Sequence, residues 1–228
     1  SYPDSVTENF CPHTLDLNPE LVSQIVIMYL PVSSIRTSIL EDAHHEILTC
    51  FFDTMMNFEK NNENPLYMHM HVRFPHQPLI FDSEGERVMN PLPTNRFDSA
   101  LKDAYLQQLI FANKKTISIV EEILEKDSHS IIIIQGDHGT AWDIRSNEWV
   151  EPSKEDVYQR LRNFDAIYFP DEEKRKNLDN KRTLVNTFRT IFNAYYGSDY
   201  ELLENKAYWG YNAKPYDFKD VSHYILEN

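Results

Sequence analysis

The residues best suited to chemistry in this chain are Asp137 and His138, in the segment IIIIQGDHGT at residues 131–140. An adjacent carboxylate and imidazole can bind divalent metals such as Zn, Mn or Mg. We expect Gly136 and Gly139 to let the backbone turn sharply, so that both side chains point to one place. Two ligands do not complete a metal site, which needs one or two further protein groups. The alternative interpretation is that Asp137 caps the next turn and His138 makes a nearby hydrogen bond.

A second group of candidate residues lies in HMHVRFPHQP, at residues 69–78. His69 and His71 alternate onto one face of a predicted strand. His76 follows in a loop that two prolines make rigid. Binding groups often occupy rigid loops after strands, so His76 is a candidate binding residue. For His69 and His71, the alternative is that they are half-buried strand residues with ordinary partners.

Hydrophobic periodicity predicts the elements that must position these residues. The run SIIIIQ at 130–135 is continuously apolar and β-branched, which is typical of a strand buried on both faces of a parallel sheet. Ligands of such sheets bind beyond the carboxyl ends of strands, where Asp137 and His138 would lie. The other predicted elements are helices at 19–30, 33–60, 98–126 and 182–196, strands at 66–72 and 165–170, a polar excursion at 143–163, and a strand or edge segment at 216–226. This order predicts an α/β fold, a three-layer sandwich with a central, largely parallel sheet flanked by helices.

Composition and charge narrow the class of protein. With 228 residues and no compositional boundary, we expect one domain, or part of one, over residues 1–228. The net charge of −14 argues against a nucleic-acid partner, because phosphate contacts need clustered Lys and Arg. No segment reaches the roughly 18–20 apolar residues of a membrane span. The two cysteines, Cys11 and Cys50, allow one disulfide and exclude a cysteine zinc site.

Several ordered segments resemble one known family. IIIIQGDHGT resembles the strand-then-Asp-His-Gly element of the alkaline phosphatase and sulfatase superfamily. HVRFPHQPLIFDSEGE (71–86) resembles a Pro-His-x-Pro-Phe-x-Phe-Asp-x-x-Gly segment of sulfatase-like domains carried by multi-span bacterial membrane proteins. YLQQLIFANKKTISIVEEIL resembles the helix before their Asp-His-Gly strand, and RLRNFDAIYFPD and LVNTFRTIFNAYYGSDYELLENKAY resemble their C-terminal portion. We expect residues 65–228 to correspond to the family and residues 1–64 to be a helical lead-in.

The resemblance implies hydrolysis or transfer at phosphate or sulfate esters. By that resemblance, Asp137 and His138 bind a catalytic divalent metal, which could be Mn, Zn, Mg or Ca. His76 would approach the phosphate or sulfate of the substrate, or its leaving group, and His71 is a second substrate-binding candidate. The metal would polarise the ester oxygen and activate a Ser, Thr or modified Cys nucleophile. The resemblance also implies an extracytoplasmic domain of a membrane-anchored parent, with this chain soluble by itself.

The chain departs from the family on its N-terminal side. Family members carry the nucleophile and a first metal-binding carboxylate in an N-terminal half, and no such pattern precedes residue 65. Cys11, in FCPHT, lacks the surroundings of the family's nucleophile, so no catalytic nucleophile is assigned. We therefore expect the C-terminal half of a sulfatase-like domain, inert alone, whose exposed sheet edge pairs with the missing N-terminal half or with a second copy.

Two alternatives to the enzyme fragment stay open. The chain could be a non-catalytic sulfatase-like module that binds an anion or a partner protein. It could also be a structural α/β domain in which Gly-Asp-His-Gly is coincidental. An upstream Asp-terminated strand and nucleophile in the gene would favour the enzyme, and an absence of metal affinity would favour the structural domain.

Overall fold

A computed structural model describes residues 33–59, 65–88, 99–142, 144, 150–179, 182–211 and 213–226. The chain divides into two compact units, with the boundary between Ile123 and Leu124. The predicted helix at 19–30 and Cys11 lie outside the described residues. The division expected from the sequence, at residue 65, stays a prediction.

The first unit contains the long helix α1 (Ser33–Met56) and most of the long helix α2 (Ser99–Lys126), whose last three residues belong to the second unit. Both helices lie close to the bounds that periodicity predicts. Its buried core draws on both helices and on the segment between them, and comprises Leu48, Phe52, Ile80, Phe81 and Phe111. The rings of Phe52 and Phe111 meet edge to face, with centroids 5.8 Å apart. Such aromatic pairs contribute beyond the area they bury. The segment at 72–81 is therefore fixed against the helices rather than free in solvent.

The second unit alternates short strands and helices. Its elements are β1 (Ile132–Gln135), α3 (Lys154–Leu161), β2 (Asp165–Tyr168), α4 (Glu172–Lys176), a 3-10 turn (Leu184–Asn186), α5 (Thr187–Tyr195), β3 (Tyr208–Tyr211), β4 (Lys214–Asp220) and α6 (Ser222–Leu226). A capping box starts α3, because Ser153 and Asp156 each accept from the other's backbone N–H. A buried cluster of Ile144, Val157, Trp209 and Val221 forms the core beside α3 and the β3–β4 hairpin.

The predicted three-layer sandwich with a central parallel sheet is wrong. In the described part of the chain there are two sheets, each of two antiparallel strands, β1 with β2 and β3 with β4. The register of the first sheet pairs Ile132 with Tyr168 and Gln135 with Asp165. The isoleucines of β1 are half-buried, not buried on both faces. A β-branched run favours a strand but leaves its partner and direction open, and here the chain returns through α3 to run antiparallel.

The predicted strand at 66–72 is also absent. Residues 65–71 are exposed, belong to no helix or strand, and have no ladder partner among the described residues. Alternation of polar and apolar side chains assigns faces to a strand, yet a strand also needs a neighbour for its backbone hydrogen bonds. The strand predicted at 165–170 is confirmed as β2, and the segment at 216–226 divides into the end of β4 followed by α6.

Two further features concern membrane spanning and disulfide bonding. No helix in the described ranges has the length and apolar character needed to cross a membrane. Cys50, on α1, is disulfide-bonded. The sequence permits one disulfide, and this finding is consistent with it.

Candidate functional site

The turn from Gly136 to Gly139 follows β1 directly and is held by backbone contacts. Gly136 N donates to Phe164 O at 2.8 Å, which extends the β1–β2 ladder by one step. Gly139 N donates to Arg160 O, in the last turn of α3, at 2.7 Å. The side-chain amide of Asn163 donates to Gly136 O. The turn is thus clamped between β2 and the end of α3.

The two glycines of this turn differ in whether a side chain would fit there. A Cβ on Gly139 would lie 2.0 Å from the carbonyl oxygen of Gln159, a backbone atom that cannot move aside. A Cβ on Gly136 would meet nothing closer than 3.7 Å. Among the described glycines, only Gly85 and Gly197 have positive φ. The need for glycine at 139 is therefore close approach to α3, not the unusual backbone dihedral expected from the sequence.

Side chains from β2 and from the start of helix α5 hold the last residue of β1. Gln135 Nε2 donates at 2.8 Å to both Asp165 Oδ1 and Thr187 Oγ1. Asp165 also pairs with Arg182 at 2.7 Å, where both side chains are largely buried. A largely buried ion pair with hydrogen bonds to both partners fixes local geometry. The strand that presents Asp137 is accordingly anchored on its last residue.

Asp137 and His138 do converge, as the sequence predicts. His138 Nε2 lies 3.5 Å from Asp137 Oδ2, and His138 N donates to Asp137 Oδ1 at 3.0 Å. The Asp137 side chain is 83% exposed and that of His138 is 41% exposed, so both remain open to a ligand. With ligand bonds of about 2.1 Å, two ligands of a tetrahedral metal lie about 3.4 Å apart. The spacing and donor chemistry of this pair therefore fit two positions of a metal site.

Arg160, at the end of α3, is the residue of this site that sequence analysis missed. Its guanidinium Nη1 donates to Gly139 O at 2.8 Å and lies 2.8 Å from His138 Nδ1. Burial lowers the pKa of Arg160, and the negative charge of Asp137 opposes that shift. The sequence signal for α3 was the Ser153-x-x-Asp156 capping pattern before Val157 and Leu161. This capping pattern lies within residues 143–163, which were interpreted from the sequence as a polar excursion.

The position of Arg160 determines what His138 can do. His138 Nδ1 either accepts from Arg160 or donates to Gly139 O, which is 2.8 Å away. Only the second arrangement leaves the Nε2 lone pair for a metal, with Nδ1–H held by a carbonyl as is usual for ligating histidines. The positive guanidinium also disfavours a cation at Nε2 and favours an anion.

A third metal ligand is not found in the described part of the chain. There, no group of three or more His, Cys, Asp or Glu side chains is arranged to hold a metal ion. Asp137 and His138 are thus a pair of donors, and the divalent metal (Mn, Zn, Mg or Ca) stays a prediction.

The loop that carries His76 lies in the first unit and is built around Gln108, a fully buried residue of α2. Gln108 Oε1 accepts from the backbone N–H groups of Ile80 and Phe81 at 2.9 and 3.2 Å. Its Nε2 lies within 3.3 Å of three loop carbonyls, those of Pro75, His76 and Pro78. One side chain therefore satisfies both donors and acceptors of the loop.

Both substrate-binding candidates of this unit are exposed. His76 Nδ1 lies 2.7 Å from Gln77 O. His71 and His69 lie in the exposed segment at 65–71, outside any helix or strand. Sequence analysis also missed Gln108, because a polar residue at a buried helix position gives no periodic signal of its own.

Comparisons with known proteins add no relative. No protein-family model, curated protein or solved structure matches the chain. The likeness to sulfatase-like domains therefore rests on the sequence segments alone.

Proposed function

We propose that this chain is part of a metal-dependent hydrolase or transferase acting on phosphate or sulfate esters, and that the nucleophile lies outside it. The observation that carries the proposal is the spacing of 3.5 Å between Asp137 Oδ2 and His138 Nε2 on an exposed turn. That spacing suits two ligands of one divalent metal. When bound, the metal would act as a Lewis acid toward the ester oxygen.

The chain's own residues would supply positioning. Gly139 allows the turn to approach α3, and its carbonyl can hold His138 Nδ1–H, which leaves Nε2 as the donor. His76, and with less structural support His71, would contact the phosphate or sulfate group. The remaining metal ligands and the nucleophile would come from a segment upstream or from the parent's other half.

Metal titration tests this proposal directly. We expect calorimetry to give saturable Mn or Zn binding by the full chain, weakened at least about tenfold by Asp137→Ala or His138→Ala, because each removes one of few ligands. The chain offers a matched control in Asp127→Ala, since Asp127 forms another exposed pair with His129, at 3.7 Å in the same unit. Equal binding by the unmodified chain and Asp137→Ala would remove Asp137 from any metal site.

The gene upstream of Ser1 provides a second test. We expect it to encode a strand ending in Asp, then a Ser, Thr or Cys nucleophile, after membrane spans. A reading frame that begins close to Ser1 would end the enzyme proposal for this protein. If membrane spans are encoded upstream, the parent protein would place this domain outside the cytoplasm. The disulfide of Cys50 supports that location, because disulfides persist in oxidising compartments.

Arg160 favours one alternative function, a non-catalytic module that binds an anion. Its guanidinium lies against His138 and carries the charge that an anion would meet. Under this alternative, phosphate would bind without metal and Arg160→Met would abolish that binding. Self-association with a second copy stays a prediction, which light scattering at high concentration would check.

A further inference from the structure

An open groove lies along the exposed side of helix α5, within the second unit. Its volume is about 180 Å³, and it is lined by Phe188, Arg189, Phe192 and Tyr200. The three aromatic residues are exposed by 46%, 40% and 51% in that order. Single exposed aromatic residues are common on protein surfaces, whereas a contiguous group often marks a binding surface. The groove is therefore a candidate ligand site.

The three rings form one continuous surface with Phe192 at its centre. The Phe192 centroid lies 6.2 Å from that of Phe188 and 6.1 Å from that of Tyr200. The planes of Phe192 and Tyr200 are inclined by 60°, so these rings form two walls instead of a flat patch. A cavity of about 150 Å³ holds one benzene molecule, so the groove has room for a single aromatic ring.

The wall formed by Tyr200 is fixed to α5 by Asn193. Asn193 Nδ2 donates to Tyr200 O, and Tyr200 N donates to Asn193 Oδ1, each at 2.8 Å. Two bonds from one side-chain amide to the backbone of one residue restrict the position of that residue. The groove is accordingly formed before a ligand arrives, which reduces the conformational entropy lost on binding.

Arg189 brings a positive charge to the groove. Its Nη1 donates to Glu201 O at 2.9 Å, which holds the guanidinium beside Tyr200. Arg87 and Arg182 each pair with an aspartate, whereas Arg189 has no carboxylate partner among the described residues. A guanidinium has five N–H donors, so Arg189 retains both donors and an unneutralised charge for an anion.

We propose that this groove binds a small aromatic anion. The ligand's ring would lie against the three aromatic side chains, and its carboxylate, sulfate or phosphate oxygens would accept from Arg189. An aromatic cation would be repelled by the guanidinium, and an inorganic anion would leave the exposed rings uncovered. The inference goes beyond the function proposed above and does not depend on the metal site.

A comparison of ligands on the unmodified full chain tests the groove. The probe is phenylphosphonate, which has an aromatic ring and an oxyanion but no ester bond to hydrolyse. Calorimetry in EDTA excludes binding through a metal. We expect saturable binding, with NMR shifts of the ring protons of Phe188, Phe192 and Tyr200. Methylphosphonate, which lacks the ring, and benzyl alcohol, which lacks the charge, should each bind at least about tenfold more weakly.

Variants identify the residues that contact the probe. Arg189→Gln should weaken binding at least about tenfold through loss of a charge-assisted contact, and Phe192→Leu roughly threefold to tenfold through loss of the central ring. Arg175→Gln is the matched control for the charge, because Arg175 also donates to a backbone carbonyl and lies over a ring. Tyr216→Leu is the control for the ring, at a residue that is 90% exposed. Neither control residue lines the groove, so each should change the affinity less than about twofold.

The outcomes separate this groove from the metal site. Phenylphosphonate binding that persists in Asp137→Ala and is lost in Arg189→Gln supports the groove even if no metal binds the chain. Absent or unsaturable binding, equal binding of either comparison ligand, or equal losses in Arg189→Gln and Arg175→Gln overturn it and leave the metal proposal standing. Should Arg189→Gln fail to fold by near-ultraviolet circular dichroism, Phe192→Leu and the comparison of ligands decide.

Discussion

The His76 loop and the Gly136–Gly139 turn both present a histidine to solvent, but they are held in different ways. The loop depends on the side chain of Gln108, which reaches five backbone groups from a fully buried position. The turn depends mainly on backbone-to-backbone hydrogen bonds and on the missing side chain of Gly139, and the side chains of Asn163 and Arg160 donate to its carbonyls. A site can therefore be preorganised either by one buried polar residue or by close backbone approach, and the two differ in which substitutions break them.

Gln108→Leu should break the loop with the largest effect. It leaves the N–H groups of Ile80 and Phe81 buried without an acceptor, each at a cost of about 1–3 kcal/mol. We expect the free energy of unfolding to fall by roughly 2–5 kcal/mol in urea titrations. The same change at the exposed neighbour Gln107 should cost less than about 0.5 kcal/mol. A loss below that of Gln107→Leu would mean that water replaces the amide and that Gln108 does not organise the loop.

Gly139→Ala should break the turn. The new Cβ would overlap the Gln159 carbonyl, and overpacking of this kind costs roughly 1–3 kcal/mol or more. Gly136→Ala is the matched control, because its Cβ would have ordinary contacts, and we expect a change within about 0.5 kcal/mol. Thermal unfolding of both variants compares them. Equal stability of the two would show that the turn does not approach α3 as closely as described.

Arg160→Met sharpens the comparison by removing a side chain of α3 that contacts the turn. Without the guanidinium, His138 Nδ1 can donate to Gly139 O, and the repulsion between two cations disappears. We expect Mn affinity to rise roughly fivefold, as for loss of one nearby like charge in a partly solvated site. Arg162→Met, at an arginine that stacks on Tyr158, is the control. Weaker metal binding in Arg160→Met would instead make Arg160 a support for the site.

The smallest effect concerns acid stability of the His76 loop and α1. The pKa of His44 lies below its ordinary value of 6.5, so the unfolded chain binds more protons once the pH falls below 6.5. Stability should therefore decrease as the pH falls through that value toward the folded pKa, and His44→Gln should flatten the decrease. Thermal unfolding between about pH 7.5 and pH 5.5 measures it. A pH profile of His44→Gln identical to that of the unmodified chain would refute the role of His44.

Local sequence signals predicted the individual elements well and their assembly poorly. The helix at 98–126 and the strand at 165–170 were predicted close to α2 and β2, because a hydrophobic stripe or a β-branched run is a local property. The isoleucine run was predicted as a strand correctly, but its parallel partners were wrong. Helix α3 was missed because a short helix has few periodic positions, and its strongest signal was the Ser153 cap.

By itself, the sequence determined where the candidate chemistry lies: Asp137 and His138 directly after a strand, and His76 in a proline-flanked loop. It also determined that the pair would converge, since adjacent residues on a short turn cannot separate far. Only the tertiary structure decided that β1 runs antiparallel to β2 and that residues 66–72 find no ladder partner in the described part of the chain. It also decided that Gln108 holds the His76 loop and that Arg160 contacts His138. These depend on contacts between residues distant in the chain, and no local pattern specifies which distant backbone a strand or a buried amide will meet.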